Sequence, residues 1–279
     1  MNNTDDWFDI STITEQTDRI VEGGKYGMFL LRGTDRALLV DAGIGVGDLD
    51  TFISEYVDTP VAVLLTHTHW DHIGHAAEFS DVYVSRDELS TNGGVRIDSL
   101  SDEFTHRPKE FAQNWLDNGN EFPNGFDPDS FEINPTDASP VEPGSEFDLG
   151  GRTIELYAAP GHSPGQLVAL DTDEDILYGG DVVHTDDNIY AHFQGSDIEA
   201  YRETFQRLIE LRDSRAFSRL GTSHNRVKSG EELEILDTLY DGLGAVLDGG
   251  LDHESIGTTW GDAREYHIEE SRVLTPATL

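Results

Sequence analysis

The sequence predicts an α/β fold in which a sheet-on-sheet core is flanked by helices. Short apolar runs recur through both halves of the chain, two long amphipathic patterns come late, and glycine- or proline-containing turns separate them. The order is strands first, a short helix, strands again, then two helices. Two sheets meeting through their apolar faces, with helices outside, satisfy that order.

Residues 26–31 (YGMFLL) and 37–41 (ALLVD) are apolar runs separated by Arg32-Gly33-Thr34-Asp35-Arg36, the pattern of a hairpin with a glycine-containing turn. The run 61–66 (VAVLLT) is apolar throughout, as a strand buried on both faces requires. A loop rich in histidine and aspartate follows at once, then a short helix expected over 73–79 and a strand over 82–85 (VYVS). From 100 to 144 the periodicity breaks down around Pro108, Pro123, Pro128, Pro135, Pro140 and Pro143. A connection this long is usually functional, and a lid over the active site is expected there. Strand signals resume at 153–158 (TIELYA), 167–171 and 176–178 (ILY). In the first late helix Tyr201, Phe205, Leu208 and Ile209 share one face. In the second, Ser229 and Glu232 form a capping box ahead of Leu233, Leu236, Leu239, Leu243 and Val246. Residues 265–274 suit a closing edge strand, and with no linker or repeat a single domain over 1–279 is expected.

Composition narrows the function. A chain that is 37% hydrophobic and 9% aromatic can bury a core and is not of the disordered class. There is no cysteine, which excludes disulfides and thiolate ligands, so any metal site must be built of imidazole and carboxylate. No apolar run approaches the ~20 residues that cross a bilayer. Met1 to Asp6 lack the basic start and apolar stretch of an export signal, so a cytoplasmic location is expected. The net charge is −37, from 55 acidic residues against 18 basic ones, and the lysines are Lys25, Lys109 and Lys228 alone. The acidic residues are spread along the whole chain. Such a charge needs concentrated cations to screen it, so adaptation to high salt is expected. It also leaves no basic patch for a phosphate backbone. The expected partner is a small-molecule substrate, with no nucleic acid and no membrane; the sequence sets no oligomeric state.

The chemistry concentrates in Thr66-His67-Thr68-His69-Trp70-Asp71-His72, directly after the buried run 61–66. Imidazoles and carboxylates at this density suit zinc, iron and other divalent ions. In an extended segment His67 and His69 point to the same side and can grip one ion. Asp71 and His72 fall where the chain turns and can face a second.

This H-x-H-x-D-H run resembles the signature of the metallo-β-lactamase superfamily. Pro160-Gly161-His162-Ser163-Pro164-Gly165 resembles the family's P-G-H-[ST]-x-G loop, and Tyr178-Gly179-Gly180-Asp181 its G-D motif. Gly221-Thr222-Ser223-His224 supplies a last histidine, and Asp41-Ala42-Gly43 resembles the family's first D-x-G turn. The likeness spans about residues 26–247 and implies an αββα sandwich of two mixed β-sheets. It implies that His67, His69 and His162 hold a first ion, that Asp71, His72 and His224 hold a second, and that Asp181 bridges both. Zinc is the expected metal, with iron and manganese compatible with the same ligands. Two such ions lower the pKa of a bridging water toward neutrality, supply a hydroxide nucleophile, and polarise the scissile carbonyl or phosphoryl oxygen. Asp71, which the family uses to orient the nucleophile and pass its proton onward, and Asp181 are the implied catalytic residues.

His184, Tyr190 and His192 follow Asp181 in a loop at the mouth of the implied site and are expected to touch substrate. Trp70 reads as pocket wall or core, and His75 as support behind a ligand or as a packed histidine. His106, His253 and His267 read as surface or structural residues. The acidic run 171–175 lacks the spacing of a calcium loop and reads as a solvated turn.

Antibiotic-destroying lactamases of the superfamily generally lack the bridging aspartate, which argues against that activity here. The stretch 180–224 is similar to the thioesterase and esterase branch, including glyoxalase II-like proteins. The resemblance therefore implies hydrolysis of a thioester or a carboxylic ester, lactones included, at a dinuclear site. A small-molecule phosphodiesterase is the second reading. A non-hydrolytic iron relative is weaker, because the di-iron reductase branch carries Glu where this chain keeps His69.

Overall fold

The fold opens on a hairpin of β1 (Phe8–Thr14) and β2 (Thr17–Glu22), paired antiparallel. The computed structural model describes residues 7–278; Met1 to Asp6, where the export-signal reading falls, and Leu279 lie outside the described residues. The chain divides into two compact units, Met1–Glu142 with Asp148–Arg152, and Pro143–Phe147 with Thr153–Leu279.

In the first unit the apolar runs become β3 (Tyr26–Arg32), β4 (Ala37–Val40), β5 (Val61–Leu64) and β6 (Val82–Ser85), with a short helix α1 (Leu49–Ile53) between β4 and β5. The expected hairpin of β3 and β4 is present, with Leu30 opposite Leu39. The sheet is antiparallel from β1 to β4 and parallel from β4 onward. β5 lies between β4 and β6 with Ala62, Val63 and Leu64 fully or almost fully buried, which is why its sequence shows no alternation.

Two expectations in this unit change. The helix expected over 73–79 shrinks to a single 3₁₀ turn, Ala76–Glu78. Its first residues spend their backbone groups on the D-x-G turn: the Ala42 N–H donates to the His72 carbonyl (2.8 Å), Gly74 N–H to Gly43 (2.8 Å) and His75 N–H to Ala42 (2.8 Å). The irregular 100–144 segment contains a helix, α2 (Arg107–Asp117). Pro108 looks like a breaker in the sequence, but it sits in the first turn, where its missing N–H costs nothing. α2 lays an aromatic face on the unit. Phe111 packs against Trp70 (5.8 Å between ring centroids) and Tyr26 (5.9 Å), and Trp115 meets Trp7 edge-on (5.3 Å). The segment closes with the edge strand β7 (Ser139–Val141), whose Pro140 is tolerated because it is the last strand of the sheet.

The second unit holds a six-stranded sheet and a four-stranded one. The first is made of β8 (Glu146–Asp148), β9 (Thr153–Ala158), β10 (Leu167–Asp171) and β11 (Ile176–Tyr178), continued beyond β12 (Ile189–Tyr190) and α3 (Ile198–Asp213) by β13 (Arg219–Gly221) and β14 (Lys228–Ser229). The capping box of Ser229 and Glu232 forms as expected and starts a 3₁₀ turn that leads into α4 (Ile235–Leu247). Tyr201, Phe205 and Leu208 of α3 join Leu236, Leu239, Leu243 and Val246 of α4 in one core with Val168, Leu170, Leu177 and Leu220 from the sheet. Each such side chain contributes about 1.5–3 kcal/mol by leaving water.

The closing strand expected at 265–274 is two antiparallel strands, β16 (Gly261–Ile268) and β17 (Ser271–Pro276), preceded by β15 (His253–Thr258). Their turn carries Glu269 at φ 52°, a left-handed residue with no Gly, Pro or Asn to announce it. Among the described residues no helix is long and apolar enough to cross a membrane.

Candidate metal centre

The first ligand group follows from where β5 ends. The chain leaves the sheet at Leu64 and turns, with the His72 N–H donating to the His69 carbonyl (3.0 Å). His67, His69 and His72 are buried, with the His67 ring 4.5 Å from that of His69 and 4.0 Å from that of His72. Asp71 is the most exposed of the group, its side chain 13% accessible, with Oδ1 4.0 Å from His72 Nε2.

Asp41 organises these rings from behind. It sits at φ 65° on the D-x-G turn and is buried. Its carboxylate accepts from the Thr66 N–H (2.8 Å), the Thr66 hydroxyl (3.0 Å) and His72 Nδ1 (2.9 Å). Because Thr66 Oγ1 gives its proton to Asp41, it accepts from His67 Nδ1 (3.0 Å). One carboxylate therefore fixes the orientation of two imidazoles. Glu88, also buried, anchors the intervening residue by accepting from the Thr68 N–H (2.9 Å) and hydroxyl (2.8 Å). Gly74 is obligatory here: a Cβ would fall 2.0 Å from the Ile44 carbonyl carbon and 2.1 Å from the Gly45 nitrogen.

His75 lies outside this ligand group. It is buried between two carboxylates, Glu22 (3.3 Å from Nε2) and Glu78 (2.6 Å from Nδ1). Burial alone pulls its pKa down, but the Glu22 and Glu78 carboxylates outweigh it and hold the imidazolium up to a pKa of about 10. His106, His253 and His267 are exposed.

The second ligand group lies in the second unit. Gly161 (φ 141°) lets the P-G-H loop pass α3, since a Cβ there would lie 2.4 Å from Tyr201 Cα. His162 then donates from Nδ1 to the Tyr190 carbonyl (2.8 Å). β11 and β13 run parallel with Tyr178 opposite Gly221, so Asp181 and His224, each three residues further on, emerge at the same edge. One oxygen of Asp181, Oδ2, lies 3.3 Å from His224 Nε2, 3.7 Å from His162 Nε2 and 3.9 Å from His184 Nε2. The Tyr201 hydroxyl secures the loop by donating to the Asp181 carbonyl (2.8 Å).

Of the residues expected to touch substrate, His184 lies beside Asp181 and His224, where it could also serve as a metal ligand. It stacks on His224 (4.0 Å, 28°), and Asp181, His184 and His224 present donor atoms within 4.8 Å of one another. Tyr190 faces His184 (4.4 Å), and burial raises its phenol pKa. His192 packs on Phe193 (4.4 Å); burial and then the neighbouring His162 pull its pKa down to about 4, so it is neutral at pH 7.

The donor chemistry fits divalent metal. His72 and His162 each spend Nδ1 as a donor, to a carboxylate and to a carbonyl, and His67 does so to a hydroxyl. That tautomer puts the lone pair on Nε2, the atom a zinc, iron or manganese ion binds. Asp41, Thr66 and Tyr201 were not singled out as site residues by sequence reasoning; the D-x-G motif was the one signal for Asp41.

Residues 28–218, more than half of the chain, match the family model described as "Metallo-beta-lactamase superfamily". The chain belongs to the metallo-β-lactamase superfamily. It is a metal-dependent hydrolase by that membership and by its relatives. It is 27% identical over 232 residues to the acyl-coenzyme A thioesterase MBLAC2 of Gallus gallus, covering 78% of this chain and 79% of that protein. The Homo sapiens MBLAC2 is 25% identical, with the same coverages. A metallo-beta-lactamase from Pontibacter korlensis superposes with a TM-score of 0.57 at 17% identity, covering 84% of this chain and 99% of that one. The sec-alkyl sulfatase PisA1 gives 0.62 at 14% identity over 88% of this chain and 44% of that one. At these identities the superpositions establish the superfamily's α/β fold alone.

Proposed function

We propose that this superfamily member hydrolyses a thioester or carboxylic ester, lactones included, at a dinuclear site. The observation that carries the reading is the Asp181 Oδ2 atom, 3.7 Å from His162 Nε2 and 3.3 Å from His224 Nε2. A single carboxylate oxygen thus lies between a ligand that the resemblance assigns to one ion and a ligand that it assigns to the other. The assignment proposed is His67, His69 and His162 for the first ion, Asp71, His72 and His224 for the second, and Asp181 for both, with zinc as the metal. The thioester preference is supported by the acyl-coenzyme A thioesterase relatives.

Two divalent ions held by these residues would supply polarisation of the scissile carbonyl and a water made nucleophilic near pH 7. Asp71 accepts the proton that the attacking water releases and delivers it to the leaving thiolate or alkoxide, a role its partial exposure allows. Asp41 keeps His67 and His72 aligned throughout. The 100–144 segment, whose Phe104 covers the His69 ring at 4.4 Å, is proposed to form a cover that excludes water.

The test is turnover of acyl thioesters, a lactone, p-nitrophenyl acetate and bis-p-nitrophenyl phosphate by zinc-loaded protein in high salt, beside Asp181→Asn. Loss of thioester or ester turnover by about 100-fold or more, with fewer metal ions retained per chain, is expected of the variant. Undiminished turnover removes the bridging role, and turnover of the phosphodiester alone replaces the proposal with phosphodiesterase chemistry.

A further inference from the structure

β15, β16 and β17 lie beyond residue 218, outside the span matched by the family model. They are nevertheless tied to the loop that follows Asp181, because β12 is the fourth strand of their sheet, pairing in parallel with β17. The turn between β15 and β16 carries Trp260. Its indole meets Phe193 edge-on (4.9 Å, 83°) and His192 (5.6 Å, 71°), and Phe193 in turn stands edge-on against His162 (5.4 Å, 89°). A continuous aromatic wall therefore runs from a ligand histidine to the tip of a hairpin that is not part of the matched family core. Phe193 is buried and Trp260 is half-buried, so the indole is the more accessible end of this wall.

His192 adds an independent sign. Both of its ring nitrogens are shielded from solvent, and neither has a hydrogen-bond partner among the described residues. A shielded imidazole without a partner is costly, and a bound molecule with a polar atom at this place completes it.

We propose that Trp260, with Phe193 behind it, is the residue that selects the acyl group of the substrate, favouring an unbranched chain of several methylenes, and that His192 hydrogen-bonds a polar atom of the same molecule. The inference rests on the thioester or ester reading above. On this proposal an alkyl chain leaving the scissile carbonyl beside His162 reaches the half-buried indole, which the buried Phe193 ring backs. Each methylene that reaches the wall raises kcat/KM roughly fourfold, the value of burying one such group.

The experiment compares acetyl, butanoyl, octanoyl and dodecanoyl thioesters of N-acetylcysteamine on wild type, Trp260→Ala, Trp260→Phe and His192→Phe. The octanoyl-to-acetyl ratio of kcat/KM is expected to fall tenfold or more in Trp260→Ala and by about threefold in Trp260→Phe. His192→Phe, which keeps the ring and loses its nitrogens, raises KM at all chain lengths alike. An unchanged ratio in Trp260→Ala overturns the proposal, as does a uniform loss at every length with a lowered urea midpoint, the sign of a merely structural residue. Calorimetric titration of a non-hydrolysable octanoyl thioether analogue into zinc-loaded wild type and Trp260→Ala separates the two readings. If wild type hydrolyses no acyl substrate, the esterase proposal fails. The calorimetry still decides the wall: at least a tenfold weaker Kd without the indole supports it, and equal Kd values refute it.

Discussion

Replacing Glu22 by glutamine attacks the brace that holds the D-x-G turn beside the metal loop. Glu22 is fully buried, and its two oxygens serve four donors: the Ile44 N–H (2.7 Å), the Val46 N–H (2.8 Å), Trp7 Nε1 (3.1 Å) and His75 Nε2 (3.3 Å). Glutamine has a single acceptor oxygen, and its NH₂ would face at least one N–H. A lost charge-assisted bond costs about 1.5–3 kcal/mol. Leaving His75 without its buried counter-charge costs about as much again, so a loss of roughly 3–6 kcal/mol is expected. The effect depends on pH. His75 has a folded-state pKa of about 10 against an ordinary 6.5, so its contribution is complete below about pH 6.5 and is lost as pH rises through 10. The deprotonated ring no longer needs the charge of Glu22, so the gap between wild type and Glu22→Gln narrows over that window. Glu78, the other carboxylate facing His75, is retained in both proteins. The assay is urea unfolding in molar salt at pH 6.5, 8 and 10. A Glu22→Gln loss below about 1 kcal/mol, or a gap that does not change with pH, would refute the reasoning.

Two further outcomes are expected. Asp41→Asn turns an acceptor for Thr66 and His72 into a group that presents N–H to an N–H, so zinc retention against a chelator should weaken by about 10–100-fold while the fold persists; unchanged affinity would show that the rings need no such support. The charge of −37 is proposed to be a salt adaptation, so lowering salt from about 1 M toward 0.01 M, which lengthens the screening distance from about 3 Å to about 30 Å, should lower the thermal midpoint; constant melting in dilute buffer would remove that reading.

Local patterns were enough to find the buried strand 61–66, the hairpin of β3 and β4 and the late helices, because one face or both of each is covered and the residues repeat accordingly. The ligand motifs were legible for a similar reason: each stands in a few consecutive residues at a strand end. What stayed hidden depends on partners distant in sequence. Asp41 acts on Thr66 and His72, 25 and 31 positions away, and Glu22 on His75, 53 away. The D-x-G motif marks the turn at Asp41 without naming its partners, and nothing near Glu22 announces its role as an acceptor. α2 was hidden by Pro108, whose penalty depends on its place in the helix, and the β16–β17 turn by a glutamate in a conformation usually left to glycine.

The aromatic seam of the first unit has a spectroscopic consequence. Trp7, Trp70 and Trp115 all belong to it, with Trp7 and Trp115 in edge contact and Trp70 linked through Tyr26 and Phe111, whereas Trp260 stands in the second unit. The near-ultraviolet circular dichroism of the first unit is therefore dominated by coupled indole transitions, and the emission of a Trp260→Phe protein comes from that unit alone. The difference between the two emission curves during denaturation belongs to the second unit. The order in which the halves of the molecule melt is thus recorded in the protein's own chromophores, without an attached dye.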